Sequence, residues 1–255
     1  MRFDGKTAMI TGASSGIGAA FADALASRGA DLVLVARRQD RLQEAADHLT
    51  GKYGVQARII PADLANPEAV AALTEHVAGI DILINNAGFA THGAFGQNDP
   101  ARMDREIAVN VGAVVQLTQA ALSSMVEKND GLIVNIASTA AFQPIPYMAV
   151  YGATKAFVLS FTEALWGELE GTNVRVMALC PGATATEFFD VAGESASVGK
   201  KQTPEQVVAT AFRAIEHSTQ PSVVSGVVNT LSASIPRFLP RRTVIRITRQ
   251  LVAPK

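Results

Sequence analysis

Apolar residues along this chain gather in short, nearly unbroken runs, and between the runs they recur at helical spacing. The runs predict strands at Thr7–Thr11, Asp31–Ala36, Ala57–Pro61, Ile82–Asn85, Gly131–Ala137, Asn173–Cys180 and Ser222–Gly226. They lack strict alternation, as expected where helices cover both faces of a parallel sheet. The periodic segments predict helices at Gly16–Arg28, Gln39–Thr50, Pro67–Val77, Pro100–Lys128, Ala149–Glu170 and Pro204–His217. Pro67 and Pro204 stand where proline suits a first helical turn, Pro204 directly after a capping Thr203. Alternation of the two kinds of segment predicts an α/β fold, a Rossmann-like doubly wound parallel sheet of about seven strands with helices on both faces.

With 255 residues, 48% of them hydrophobic, the chain can bury one α/β core, and a single domain over 1–255 is expected. A net charge of -1 gives no electrostatic reason to expect nucleic acid, so small molecules are the expected partners. The first strand begins at Thr7, leaving no room for an export leader, and no uninterrupted apolar stretch reaches spanning length, so the protein reads as cytoplasmic. The one cysteine, Cys180, excludes an intrachain disulfide and reads as core. His48, His76, His92 and His217 are scattered without ligand spacing, and no metal site is indicated.

Residues 183–203, rich in Gly, Ser, Ala and Thr around Phe188–Phe189, predict a mobile loop able to close over a substrate. Residues 227–255 form a C-terminal extension. As a helix, Arg242–Val252 puts Val244, Ile245, Ile247, Leu251 and Val252 on one side and Arg242, Arg246, Arg249 and Gln250 on the other. Such a stripe packs on its own domain or a sister subunit in preference to a membrane surface.

The first strand runs into Thr11-Gly12-Ala13-Ser14-Ser15-Gly16-Ile17-Gly18 and then a helix. Gly12 permits a tight turn, while Gly16 and Gly18 let the backbone approach a pyrophosphate at the helix N-terminus. An ordinary βα turn is the plainer alternative, and the place after the first strand favours a dinucleotide. The second strand ends in Arg37-Arg38, where an NAD site usually offers the ribose hydroxyls a carboxylate. A guanidinium there suits a 2′-phosphate, so NADP(H) is expected in preference to NAD(H), against the alternative of a solvated basic helix start. Asp63-Leu64 closes the third strand and Asn85-Asn86-Ala87-Gly88 the fourth. Asp63 can accept from an adenine amino group and Ala87 and Gly88 allow close approach, unless these residues serve only as turns.

Tyr151 and Lys155, one helical turn apart, share a helix face, so the ammonium can favour ionisation of the phenol. Ser138 precedes them at the end of a strand. Taken singly, each residue has a structural reading; together, downstream of a glycine turn, they point to hydride-transfer chemistry.

With these residues placed, the chain resembles the short-chain dehydrogenase/reductase family over nearly its whole length, through TGASSGIG, NNAG and Tyr151-Gly152-Ala153-Thr154-Lys155. Asn110, Ser138 and Pro181-Gly182 also stand where that family pattern expects them. The resemblance implies a catalytic set of Asn110, Ser138, Tyr151 and Lys155. In it Tyr151 exchanges a proton with the carbonyl or alcohol oxygen and Ser138 stabilises charge there. Lys155 holds the nicotinamide ribose, and Asn110 kinks its helix and serves a water-linked proton path. It further implies Ser14, Ser15, Ile17, Pro181, Gly182, Thr184 and Thr186 as cofactor neighbours, and a homodimer or homotetramer built on the Pro100–Lys128 and Ala149–Glu170 helices. The tail departs from bacterial 3-oxoacyl carrier-protein reductases and looks more like the very-long-chain 3-oxoacyl and hydroxysteroid branches.

The expected activity is NADP(H)-dependent transfer of hydride to or from an apolar ketone, aldehyde or secondary alcohol, long-chain or steroid-like, with Phe89, Phe95, Phe142, Phe188, Phe189 and Trp166 supplying apolar bulk. A non-catalytic dinucleotide sensor or scaffold, and a dehydratase or epimerase on the same fold, are the rival readings. Retention of a Tyr–Lys pair speaks against the sensor, since binding alone needs no proton donor.

Overall fold

The computed structural model describes residues 2–193 and 196–254. Its strands are β1 (Thr7–Thr11), β2 (Asp31–Ala36), β3 (Ala57–Pro61), β4 (Ile82–Asn85), β5 (Gly131–Ile136), β6 (Val174–Cys180) and β7 (Ser222–Val224). All pair in parallel, in the order β3-β2-β1-β4-β5-β6-β7. The winding reverses between β1 and β4, which opens a crevice at the carboxyl ends of these two strands.

The helices are α1 (Gly16–Ala26), α2 (Gln39–Tyr53), α3 (Pro67–Val77), α4 (Pro100–Ile107), α5 (Val114–Lys128), α6 (Ala149–Glu168), α7 (Phe188–Ala192), α8 (Pro204–His217), α9 (Val227–Ser234) and α10 (Arg241–Val252). Successive residues of one strand serve two cores. Ala8, Ile10, Ile82 and Ile84 pack with Phe21 and Leu25 of α1, Leu42 of α2 and Phe212 of α8. Met9 and Leu83, from the same strands, pack with Leu73 of α3 and Leu117 and Met125 of α5. Apolar helices therefore cover both faces, which is why the strand runs carry no polar alternation. Each fully buried Leu, Ile or Phe contributes about 1.5–3 kcal/mol, so these two layers set where the strands end and the crevice begins.

The chain differs from its sequence pattern in several places. Pro100–Lys128 is not one regular helix: a π-helical stretch, Ala108–Ala113, separates α4 from α5. The same run has the length and mean hydropathy (1.3) of a spanning helix, which a search for uninterrupted apolar stretches passes over. Here it lies on the sheet through Val114, Leu117, Ala121 and Met125. The 183–203 segment is pinned at both ends rather than loose: Thr184 bridges to Gln202, with Ala185 N donating to Gln202 O at 2.8 Å and Gln202 N to Ala183 O at 2.9 Å. Phe188–Ala192 forms a short helix inside it, and residues 194 and 195 of the segment lie outside the described residues. Composition alone misses this because the bridge pairs residues distant in sequence. Helix α9, which the sequence pattern leaves irregular, starts directly after Gly226, and α1 and α6 stop short of Arg28 and Glu170.

Candidate active site

The β1–α1 turn is built for close backbone approach. A Cβ on Gly16, at φ +57°, would lie 2.8 Å from the Thr186 methyl, so only a bare backbone fits beneath the 183–203 segment. Gly18 has a different task from the expected one. Its Cβ would stand 2.3 Å from Gly12 O, and it is buried under the turn rather than lining the groove. Helix α1 begins at Ser15 without a side-chain cap, whereas α3, α4 and α8 are capped by Asn66, Asp99 and Thr203. Its first N–H groups are left for an anion, as a pyrophosphate site requires. The turn opens into a cavity of about 640 Å³ lined by Gly12, Ser14, Ser15, Gly16 and Ile17 at one end. Size and donor chemistry both fit a dinucleotide.

The second wall comes from the ends of β2, β3 and β4, where Arg37, Arg38, Asp63, Leu64, Asn86, Ala87 and Gly88 all line the cavity. Arg38 reaches Ser14 Oγ and Ser15 Oγ at 3.3 and 3.4 Å and pairs with Glu187 Oε2 at 2.8 Å. Arg37 is exposed. Asp63, read as an acceptor for adenine, already spends Oδ2 on Arg105 at 2.9 Å and Oδ1 on Ala65 N at 3.1 Å. Its carboxyl is held below the usual range by that backbone bond and by Arg105, against the upward push of burial, the largest influence. Asn86 fastens β4 to the glycine turn through Thr11 O at 2.9 Å, while Thr11 Oγ1 accepts from the N–H groups of Asn86 and Ala87 at 2.9 and 3.0 Å. Asn85 stays inside the sheet, donating to Thr118 and to Asn135, each at 2.9 Å.

Ser138, Tyr151 and Lys155 converge on the other half of the cavity, together with Pro181, Gly182, Thr184 and Thr186. Ser138 follows β5 and caps a short 3₁₀ turn, its Oγ accepting from Ala140 N at 3.1 Å. Tyr151 and Lys155 lie one turn apart on α6, both buried. The expectation that the lysine eases ionisation of the phenol is corrected here. Burial pushes Tyr151 up to about 12, and the Ser138 hydrogen bond opposes it. Burial likewise pushes Lys155 down to about 8, against the pull of Cys180 and Glu106. The Lys155 ammonium donates to Ile136 O at 2.8 Å and lies 5.8 Å from the Tyr151 ring centroid, so desolvation outweighs any pairing with the phenol. Tyr151 accordingly stands as a protonated donor across the neutral range.

Asn110 sits in the π-helical stretch behind Lys155, fully buried and not on the cavity wall. Its amide donates to Phe89 O at 2.9 Å and Thr154 Oγ1 at 3.1 Å and accepts from Phe89 N at 3.2 Å. One turn earlier Glu106 accepts from Thr91 N at 2.8 Å, and a further turn back Arg102 donates to Ala90 O at 3.2 Å. These three residues clamp the 89–91 segment to one helix face. Sequence reading missed Thr11, Glu106, Arg105 and Glu187; only Thr11, a hydroxyl ending a strand beside the glycine turn, carried a local signal.

Apolar side chains collect around Tyr151. Phe188 lies 5.4 Å from it between ring centroids, and Ala90, Met148 and Ala192 pack with it. Phe89 and Phe189 complete this end of the cavity. Phe95 is largely exposed, Phe142 packs under Ala137, and Trp166 points outward to Thr219 O, so none of the three lines it.

A family model for short chain dehydrogenases matches residues 6–196. A very-long-chain 3-oxoacyl-CoA reductase of Bos taurus is 31% identical over 243 residues, covering 92% of this chain and 77% of that protein. A short-chain dehydrogenase from Sphingobium yanoikuyae, solved with NADPH, shares 37% identity with a TM-score of 0.82, covering 91% of this chain and 93% of that one. A short-chain dehydrogenase/reductase from Burkholderia phymatum, solved with NAD, shares 27% identity with a TM-score of 0.84 over 93% of this chain and 95% of that one.

Proposed function

From the premise that this chain belongs to the short-chain dehydrogenase family of oxidoreductases, we propose that it is an NADP(H)-dependent carbonyl reductase or alcohol dehydrogenase acting on apolar ketones, aldehydes or secondary alcohols. The observation that carries the reading is a single cavity with Arg38, Ser14 and Ser15 at one end and Ser138, Tyr151 and Lys155 beside Phe188 and Phe189 at the other. The first group suits a 2′-phosphate. The second suits a carbonyl with apolar substituents. The Bos taurus relative, named for a very-long-chain 3-oxoacyl-CoA, supports an apolar acyl or similarly extended substrate.

When bound, the nicotinamide supplies or accepts the hydride. Tyr151, a phenol protonated at neutral pH whose pKa burial pushes up further, gives its proton to the carbonyl oxygen and takes it back from the alcohol in the reverse direction. Ser138, beside Tyr151 on the cavity wall, stabilises charge on the same oxygen. Lys155 keeps its ammonium in the cavity wall, where it would hold the ribose hydroxyls of the bound cofactor. Exposed Ile107, Val126 and Phe157 on the α4–α6 helices support association of two or four copies.

NADPH oxidation is to be followed across a carbonyl panel graded by chain length and ring content, alongside Tyr151→Phe. We expect stoichiometric NADPH loss with apolar carbonyls, and a variant that melts normally and titrates NADPH normally but turns over about a hundredfold or more slowly. Near-normal turnover in the variant would remove Tyr151 from the chemistry, and product formation without NADPH loss would favour a dehydratase or epimerase.

A further inference from the structure

We infer that Glu187 is a built-in competitor for the cofactor's 2′-phosphate, its carboxylate sitting on the guanidinium seat that the phosphate must take over. The inference rests on the NADP(H) reading above. Glu187 Oε2 lies 2.8 Å from Arg38 Nη2, and Oε1 is paired with Arg41 Nη1. The same Arg38 nitrogen is within 3.3 and 3.4 Å of Ser14 Oγ and Ser15 Oγ. Two guanidinium groups thus hold one carboxylate, and the Arg38 nitrogen that holds it also reaches two hydroxyls, a set of groups that suits an oxyanion. Arg37, the other cation here, is exposed and its charge acts on Asp63.

The position of Glu187 in the chain gives the contact its reach. Thr186, just before it, covers Gly16, and Phe188, just after it, packs on Tyr151. The pair therefore straps the 183–203 segment across the groove from the α7 side to the start of α2. The three side chains are 40–44% exposed, so the strap is a weak ion pair that a phosphate, with more charge and more acceptor oxygens, displaces. Displacement releases the residue next to Phe188, which links occupation of the phosphate seat to the substrate end of the cavity.

The test titrates NADPH, NADH and adenosine 2′,5′-bisphosphate onto the unmodified protein, Glu187→Gln and Glu187→Ala, by nicotinamide fluorescence and its displacement, with melting temperatures as a folding check. We expect both variants to bind NADPH and the bisphosphate about two- to fivefold more tightly, as befits an exposed ion pair, with NADH moving less. Unchanged or weakened NADPH binding in both variants, or equal tightening of NADH, overturns the competitor role while leaving NADP(H) preference intact. An unmodified protein that ignores the bisphosphate and prefers NADH removes the cofactor reading itself, and the competitor with it.

Discussion

Glu106 is a buried carboxylate whose ionisation the fold resists. It is fully buried, and burial raises its carboxyl pKa, opposed by its hydrogen bonds from Thr91 and the charges of Arg102 and Lys155. A group whose folded pKa is raised contributes stability below its ordinary value of 4.5 and loses it as pH climbs through the folded value. Glu106→Gln keeps the shape and an acceptor for Thr91 N while removing the charge. It should melt a few degrees higher than the unmodified protein at neutral pH, with the gap closing towards pH 4. A gap that ignores pH would mean that Glu106 titrates alike in the folded and unfolded chain, so that burial does not resist its charge. The charge also raises both Tyr151 and Lys155, so the same variant should move the alkaline limb of the reductive rate to lower pH.

Among the elements, the interrupted helix α4–π–α5 matters most to the site. Its π-helical stretch carries Asn110 on the side where the amide meets both backbone groups of Phe89. A Cβ on Gly88 would sit 3.0 Å from Asn110 Oδ1 and 3.4 Å from Lys155 Nζ, so the end of β4, Asn110 and Lys155 meet at one point. Asn110→Ala removes the partner of the part-buried N–H and C=O of Phe89, and each orphaned group costs about 1–3 kcal/mol. Urea unfolding should therefore show roughly 2–4 kcal/mol of lost stability, with turnover falling alongside. Stability within about half a kcal/mol of the unmodified protein would show that water replaces the amide and that the clamp is dispensable.

At the scale of the whole molecule, the C-terminal extension folds back over the carboxyl edge of the sheet. Gly182 leaves no room beside Asn229 of α9, whose amide donates to Ser225 O at 2.7 Å. Helix α10 docks through buried Val244 and Val252, with Thr248 Oγ1 donating to Pro144 O at 3.0 Å and His92 Nε2 lying 2.8 Å from Val252 O. Beneath it Tyr147, at φ 65°, holds a strained left-handed backbone and accepts from Arg249 through its hydroxyl. The predicted apolar stripe is thus divided: Val244 and Val252 face the domain, while Ile245, Ile247 and Leu251 are exposed. Removing 241–255 should lower the melting temperature by several degrees and raise KM for long substrates more than for short ones. Unchanged stability and unchanged chain-length preference would detach α10 from the site.

Local sequence determined the seven strands, the glycine turn and the one-turn spacing of Tyr151 and Lys155, because side-chain periodicity and turn chemistry act between near neighbours. It also placed the Arg37-Arg38 and Asn86-Ala87-Gly88 ends on the crevice, since strand order follows from the alternation of elements. Tertiary structure alone decided which charges are spent and which are desolvated. Glu187 meets Arg38 across 149 positions of chain and Asp63 meets Arg105 across 42, contacts with no local trace. The Tyr151 phenol is governed by burial, a property of everything packed around it, and so its pKa goes up where its lysine neighbour alone would bring it down.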